Sequence, residues 1–127
     1  MEWTPIVDCA YDATISVGTE SSGAIDLTIQ LLDFAGNDLA VRGVVYLYFS
    51  SDTTGDATSD MDSLDISTNT ADGDSLAVLA NNYFMLISES DGDICVTADD
   101  DGAGSVYANI VLPNGKIVTS SVVTFTE

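Results

Sequence analysis

The chain has 127 residues, of which 46% are hydrophobic, and its 21 acidic and 2 basic side chains give a formal net charge of −19. This length corresponds to one domain, and the apolar fraction is high enough for a packed core. Nucleic acids and anionic membranes are both bound through clusters of lysine and arginine, so a chain with two basic residues is not expected to bind either.

Residues 1–11 precede the first clear strand pattern and are predicted to form an N-terminal arm. The arm has no basic region followed by a long apolar stretch, so no signal peptide is predicted. The chain has no run of about 18 apolar residues, so no membrane span is predicted. The arm either packs on its own domain or contacts a neighbouring chain through its apolar and aromatic side chains: Trp3, Pro5, Ile6, Val7 and Tyr11.

Alternation of apolar and polar residues begins immediately after the arm. Residues 13–17 and 25–31 follow this pattern, which predicts two strands with one buried and one wet face. Residues 35–38, Ala-Gly-Asn-Asp, form a predicted turn before the third strand. That strand, at residues 44–49, is apolar on both faces, so we expect it to be central or to meet a partner with its outer face.

The second half of the chain contains shorter strand patterns and then a long hairpin. Acidic and polar residues at 50–63 and 67–75 predict surface loops. Pro113-Asn114-Gly115 predicts a tight turn that joins the last two strands, and a bulge is expected at Ser120-Ser121. The predicted strands of this half lie near residues 64–66, 76–79, 83–87, 94–98, 106–112 and 117–125.

About nine short strands without helical spacing predict an all-β fold. We expect an immunoglobulin-like antiparallel β-sandwich over residues 12–127, with a jelly roll as the alternative. The antibody pattern of paired cysteines is absent, because Cys9 comes too early to lie on a second strand.

The chain contains no histidine, the most common general base in enzymes. Without histidine, neither a Ser-His-Asp nor a Cys-His arrangement can be built, and Lys116 has no phosphate-loop context. Two carboxylates could cleave a glycosidic bond, but among 21 acids some pair always lies within reach, so such a pair is not evidence. The sequence predicts a protein that is not an enzyme and has no cofactor.

Metal and thiol chemistry is likewise not predicted. The loops Asp91-Gly92-Asp93 and Asp99-Asp100-Asp101-Gly102 lack the spacing of an EF-hand and are interpreted as solvated turns. If calcium binds, Asp99, Asp100 and Asp101 are the candidate ligands. Cys9 and Cys95 cannot complete a tetrahedral zinc site without histidine; we expect thiols, with a disulfide as the alternative.

Four tyrosines in the predicted strands have two interpretations. They either cover the edge of the core with their hydroxyls in water or line a carbohydrate-binding platform. These residues are Tyr46, Tyr48, Tyr83 and Tyr107.

The order of several motifs resembles immunoglobulin-like modules of tailed-phage structural proteins. The likeness extends over roughly residues 12–126, although the Asp- and Ser-rich loops and the Trp3-containing arm depart from the pattern. The motifs are Val17-Gly18-Thr19-Glu20, the segment from Ile29 to Ala40 with Gln30-Leu31-Leu32-Asp33 and Gly36, Arg42-Gly43, the segment from Leu86 to Gly92, and the hairpin from Ile110 to Lys116.

This resemblance implies a virion protein that is synthesised in the host cytoplasm and binds the outer surface of the capsid as a decoration or cement protein. The implied partner is the major capsid protein, and a homo-oligomer such as a trimer is also expected. The five apolar and aromatic arm residues are the implied contact with the capsid or with a neighbouring subunit. The alternative is an immunoglobulin-like adhesion or carbohydrate-binding module of a phage fibre, a phage tail or a bacterial surface.

Overall fold

The computed structural model describes residues 9–56, 65–68, 73–79, 83–100 and 103–126. These residues form strands and connecting turns without a helix, so none of them belongs to a helix that could cross a membrane. The strands are β1 (Asp12–Val17), β2 (Ala24–Leu32), β3 (Val44–Ser50), β4 (Asp65–Thr68), β5 (Asp74–Leu79), β6 (Tyr83–Ile87), β7 (Asp93–Asp99), β8 (Gly104–Val111) and β9 (Ile117–Phe125).

The strands form two antiparallel sheets that pack face to face. One sheet has the order β1-β2-β7-β4 and the other β5-β6-β3-β8-β9. Without the β5–β6 hairpin, this is the arrangement of a constant-type immunoglobulin domain, with four strands in one sheet and three in the other. The hairpin extends the second sheet beyond β3. The expected all-β, immunoglobulin-like antiparallel sandwich is confirmed.

The core lies between the sheets and is built from alternate residues of each strand. On β2, Ile29 and Leu31 have no exposed surface, and on β3 the same is true of Val45 and Leu47. Their outward neighbours are half-buried or exposed, because successive side chains of a strand point to opposite faces. The strand predicted to be central, β3, lies in the middle of the five-stranded sheet.

Turn and bulge predictions at the end of the chain are confirmed. The amide of Leu112 donates to the carbonyl of Lys116 at 2.9 Å, and Gly115 has a φ of 87°, which glycine adopts without strain. The pairing of β8 with β9 shifts register between Tyr107 and Asn109, opposite Ser120-Ser121.

Part of the loop prediction is wrong. β4 extends to Thr68 and β5 begins at Asp74, so the predicted loop at 67–75 includes the ends of two strands. Both are edge strands with an outward face in solvent, and a polar residue such as Ser67 fits a strand there as well as a loop. Ser50, also assigned to a loop, ends β3 and is fully buried.

Two alanine substitutions on β3 test which face of the strand is buried. We expect Leu47→Ala to lower the free energy of unfolding by about 2–5 kcal/mol, because it leaves a cavity between the sheets. Val44→Ala, on the outer face where Val44 is 43% exposed, is expected to change it by less than about 1 kcal/mol. Urea unfolding measures both values, and equal losses would contradict the assigned orientation of β3.

Candidate functional site

The outer face of the four-stranded sheet is polar. Its outward positions on β2 and β7 include Asp26 and Thr97, whose carboxylate and hydroxyl are joined by a 2.8 Å hydrogen bond. Gln30 on the same face donates to the carbonyl of Asp91 at 2.9 Å. This face is a typical hydrated exterior.

The outer face of the five-stranded sheet has a different chemistry. Four of its strands, β3, β6, β8 and β9, contain no charged residue, although the chain has 21 acids. Their outward positions, where β-pairing aligns side chains across the sheet, are mostly apolar or aromatic. We call this set the apolar face: Val44, Tyr46, Tyr48, Tyr83, Met85, Ile87, Tyr107, Val111, Ile117 and Val122.

The apolar face is accessible to a partner. Val44, Ile117 and Val122 are 43%, 44% and 46% exposed, and its other members are half-buried. Exposed apolar surface of this kind marks interaction sites, and interface centres are depleted of charge and enriched in tyrosine and methionine. The composition of the face therefore fits the centre of a protein interface.

A recess of about 460 Å³ lies at one end of the apolar face. One wall contains Tyr46 and Tyr83, whose rings are stacked with their centroids 5.3 Å apart and an angle of 3° between their planes. Leu112 and Pro113, where β8 ends and the β8–β9 turn begins, also line the recess, together with Val44 and Val111. An apolar side chain of a partner would lose its hydration on entering this space, which is how binding hot spots arise.

The loop after β3 covers the other end of the apolar face. The hydroxyl of Tyr48 donates to the carbonyl of Gly55 at 2.8 Å. Beneath the loop, the amide of buried Asn109 donates to the Ser50 hydroxyl at 2.9 Å, and its carbonyl oxygen accepts from Thr119 at 2.7 Å. These contacts fix the loop over the polar part of the sheet.

Carboxylates border the apolar face. Burial of Tyr48, together with the nearby charges of Asp56 and Asp52, raises the pKa of its hydroxyl. On the other side, the exposed Asp74 pairs with Ile87 and occupies the outward row of the β5 edge. We refer to Asp52, Asp56 and Asp74 as the acidic rim.

The two basic side chains form ion pairs near the recess end of the domain. Arg42, which precedes β3, lies 3.3 Å from Glu89, and Lys116, in the β8–β9 turn, lies 3.1 Å from Asp12. The hydrogen bond from the Ala13 amide, followed by the interaction with Lys116, lowers the pKa of Asp12. Arg42 is exposed two residues before Val44 and Lys116 is exposed directly before Ile117, so both ion pairs lie at the border of the apolar face.

Of the predicted contact residues, only Tyr11 is among the described ones; Trp3, Pro5, Ile6 and Val7 lie outside them. The Tyr11 ring meets Phe34 edge-on at a centroid distance of 6.0 Å, and its carbonyl accepts from the Asn114 side chain at 3.2 Å. Ala10 is buried in the core. The described end of the arm therefore packs on its own domain, beside the turn that lines the recess.

The structure refines the tyrosine prediction and reveals one exposed aromatic side chain that the sequence did not indicate. All four tyrosines singled out in the sequence lie on one face, but only Tyr46 and Tyr83 line the recess. Phe34 was not predicted as a surface feature, yet its side chain is 64% exposed. The sequence signal that could have indicated this exposure is the position of Phe34 in a Gly-containing turn, because a turn has no face that must be buried.

The candidate calcium ligands are not gathered in one described site. Asp99 ends β7, the amide of the buried Asp100 donates to the carbonyl of Gly23 at 3.0 Å, and Asp101 lies outside the described residues. Within the described ranges, no group of three His, Cys, Asp or Glu side chains could hold a metal. No disulfide joins Cys9 and Cys95, and the Cys95 sulfur lies 3.9 Å from the Thr28 hydroxyl.

No protein-family model matches this chain, and no curated protein gives a significant match. Among solved structures, the chain is similar to a cohesin module from a family 33 glycoside hydrolase of Clostridium perfringens. The identity is 12%, the alignment covers 91% of this chain and 93% of the module, and the TM-score is 0.41.

The raised pKa of Tyr48 predicts a pH dependence of stability. Folding favours the neutral hydroxyl, so its contribution to stability is complete below pH 10, the ordinary tyrosine pKa, and is lost as the pH rises through the higher folded value. We expect the free energy of unfolding to fall less steeply above pH 10 in Tyr48→Phe than in the wild type. Urea titrations from about pH 8 upward, with Tyr107→Phe as control, measure this, and equal slopes in all three proteins would contradict it.

Proposed function

We propose that this protein is a non-catalytic binding module that decorates the outer surface of a phage capsid and attaches through its apolar face. The observation behind this proposal is the contrast between a net charge of −19 and four neighbouring strands without any charged residue. A sheet exterior that meets only water has no reason to exclude charge, whereas charges at the centre of an interface must be desolvated.

The location of the arm supports the same attachment surface. Tyr11 contacts the β8–β9 turn through Asn114, one residue after Pro113 of the recess. The chain therefore enters the domain beside the recess, and Trp3, Pro5, Ile6 and Val7 precede this point by few residues. We propose that these arm residues and the apolar face form one continuous contact with the major capsid protein.

The remaining surface suits exposure on a virion. The outward face of the other sheet is polar, and Asp26 and Thr28 on it are exposed. A high net charge of one sign keeps particles and unbound copies apart in solution. We also propose that the copies form trimers on the capsid and stabilise its shell.

Carbohydrate binding is the second candidate, because Tyr46 and Tyr83 lie side by side in an open recess. Sugars bind aromatic rings through their apolar C–H faces, and the tyrosine hydroxyls supply polar partners. An adhesion module of this type would bind glycans as an isolated domain, without any capsid.

Capsid occupancy tests the apolar face. Phage capsids from the source lysate are purified without this protein, incubated with each variant, and the bound copies are counted relative to the major capsid protein by mass spectrometry. We expect Tyr46→Ala to weaken binding by about 10-fold or more, as removal of a hot-spot side chain does. Thr28→Ala, on the opposite outer face, is the matched control and should retain full occupancy.

The same measurement separates the candidate functions. If the wild type binds capsids and Tyr46→Ala binds them equally well, the apolar face is not the contact. If the wild type does not bind capsids but binds glycans on an array, the carbohydrate function replaces decoration.

Deletion of residues 2–8 tests the arm separately. We expect occupancy to fall, because the deletion removes Trp3, Pro5, Ile6 and Val7 while leaving Ala10 in the core. Thermal unfolding of the deleted protein checks that the domain remains folded. Full occupancy of the folded deletion variant would contradict an anchoring role for the arm.

A further inference from the structure

We propose that the surface which covers the apolar face is basic: an apolar side chain of the partner enters the recess, and lysine or arginine side chains around it face the acidic rim. This inference rests on the proposed function for the identity of the partner, and adds to it the chemistry by which the partner is recognised.

The acidic rim places carboxylates next to the apolar surface on two sides. Asp74, Ile87 and Val44 pair across β5, β6 and β3, so their side chains point to the same face, and Asp74 is exposed at its edge. At the end covered by the loop, Asp56 is exposed close to Tyr48. A partner that buries Ile87 and Tyr48 therefore comes within range of both carboxylates.

The chain cannot neutralise this rim itself. Its two basic side chains are engaged with Glu89 and Asp12, at 3.3 and 3.1 Å, and no third one exists. Asp52 and Asp56 accept hydrogen bonds from the Thr54 hydroxyl, and Asp52 also accepts from backbone amides. A neutral or acidic partner would nevertheless bring the rim carboxylates into a drier environment without an opposite charge, which is unfavourable. A basic partner supplies the missing cations, and the net charge of −19 attracts it over a distance.

A second copy of this chain is a poor occupant for the same reason. Two apolar faces in contact would bring together two acidic rims and two net charges of −19. Salt distinguishes the two cases, because it screens attraction to a basic partner but also screens repulsion between copies. Attachment to a basic surface weakens with salt, whereas self-association through the apolar face strengthens.

The decisive experiment compares two variants of equal charge change. The rim variant combines Asp56→Asn with Asp74→Asn, and the control combines Asp26→Asn with Asp99→Asn, which are exposed on the outer face of the four-stranded sheet. Association rates and affinities of wild type and variants for capsids are measured from about 0.05 to 0.5 M NaCl. The same proteins without capsids are followed by sedimentation over that range.

We expect the association rate of the wild type to fall by about 10-fold or more over this range of salt, as electrostatically steered encounters do. The rim variant should lose about 5-fold or more in rate at low salt, and the control less than about 2-fold. The proteins alone should sediment as the same species at every salt concentration.

Other outcomes overturn the inference or the function on which it rests. Absence of wild-type binding to capsids at any salt removes the proposed function and its partner. Capsid binding that is insensitive to salt and to the rim variant overturns the basic partner alone. If the rim and control variants lose association rate equally, the charge of the whole molecule attracts the capsid and the rim has no specific role. If the protein alone self-associates more strongly as salt increases, the apolar face is assigned to a second copy.

Discussion

Keeping carboxylates in water is the constraint that organises this molecule. With 21 acids and two basic side chains, ion pairing can compensate very few of the negative charges. An uncompensated buried carboxylate costs several kcal/mol, so nearly all of them must lie where water reaches them. Among the described residues, loops, turns, the outer face of the four-stranded sheet and the β5 edge provide these positions, and the inner faces of both sheets carry mainly aliphatic and aromatic residues.

That constraint explains where charge is present but not why it is missing from β3, β6, β8 and β9. Their outward positions are open to solvent, as the exposure of Val44, Ile117 and Val122 shows. Equivalent positions on β2 carry Asp26, Thr28 and Gln30, which are compatible with the same fold. The difference between the two outer faces is therefore not required for folding, and the proposed binding role would account for it.

Much of this fold could be predicted because one physical signal determines it. Alternation along residues 25–31 identifies both the strand and its buried face, and the two-sided segment at 44–49 identifies the central strand. The bounds of the edge strands β4 and β5 were harder to predict from the sequence, because a strand with one face in water and few neighbouring strands needs few apolar residues.

The candidate site was predictable only in its parts. The sequence contains the tyrosines, but their grouping depends on register across strands that are far apart in the chain. Tyr48 pairs with Tyr83, which places Tyr83 diagonally from Tyr46 and allows the two rings to stack. The recess also needs Leu112 and Pro113, which β8 brings alongside β3. Long-range pairing of this kind leaves no local pattern in one sequence.

An apolar face on a protein of such high charge resolves two opposing requirements. Exposed aromatic and aliphatic surface favours aggregation, above all on a sheet where many side chains are aligned. A net charge of −19 opposes the approach of identical copies and would attract the proposed basic partner, so the same carboxylates would suppress self-association and accelerate binding to that partner. In this proposal the acidic surface and the uncharged sheet face act together. The apolar face alone would favour aggregation, and the acidic surface alone would offer no apolar contact to a partner.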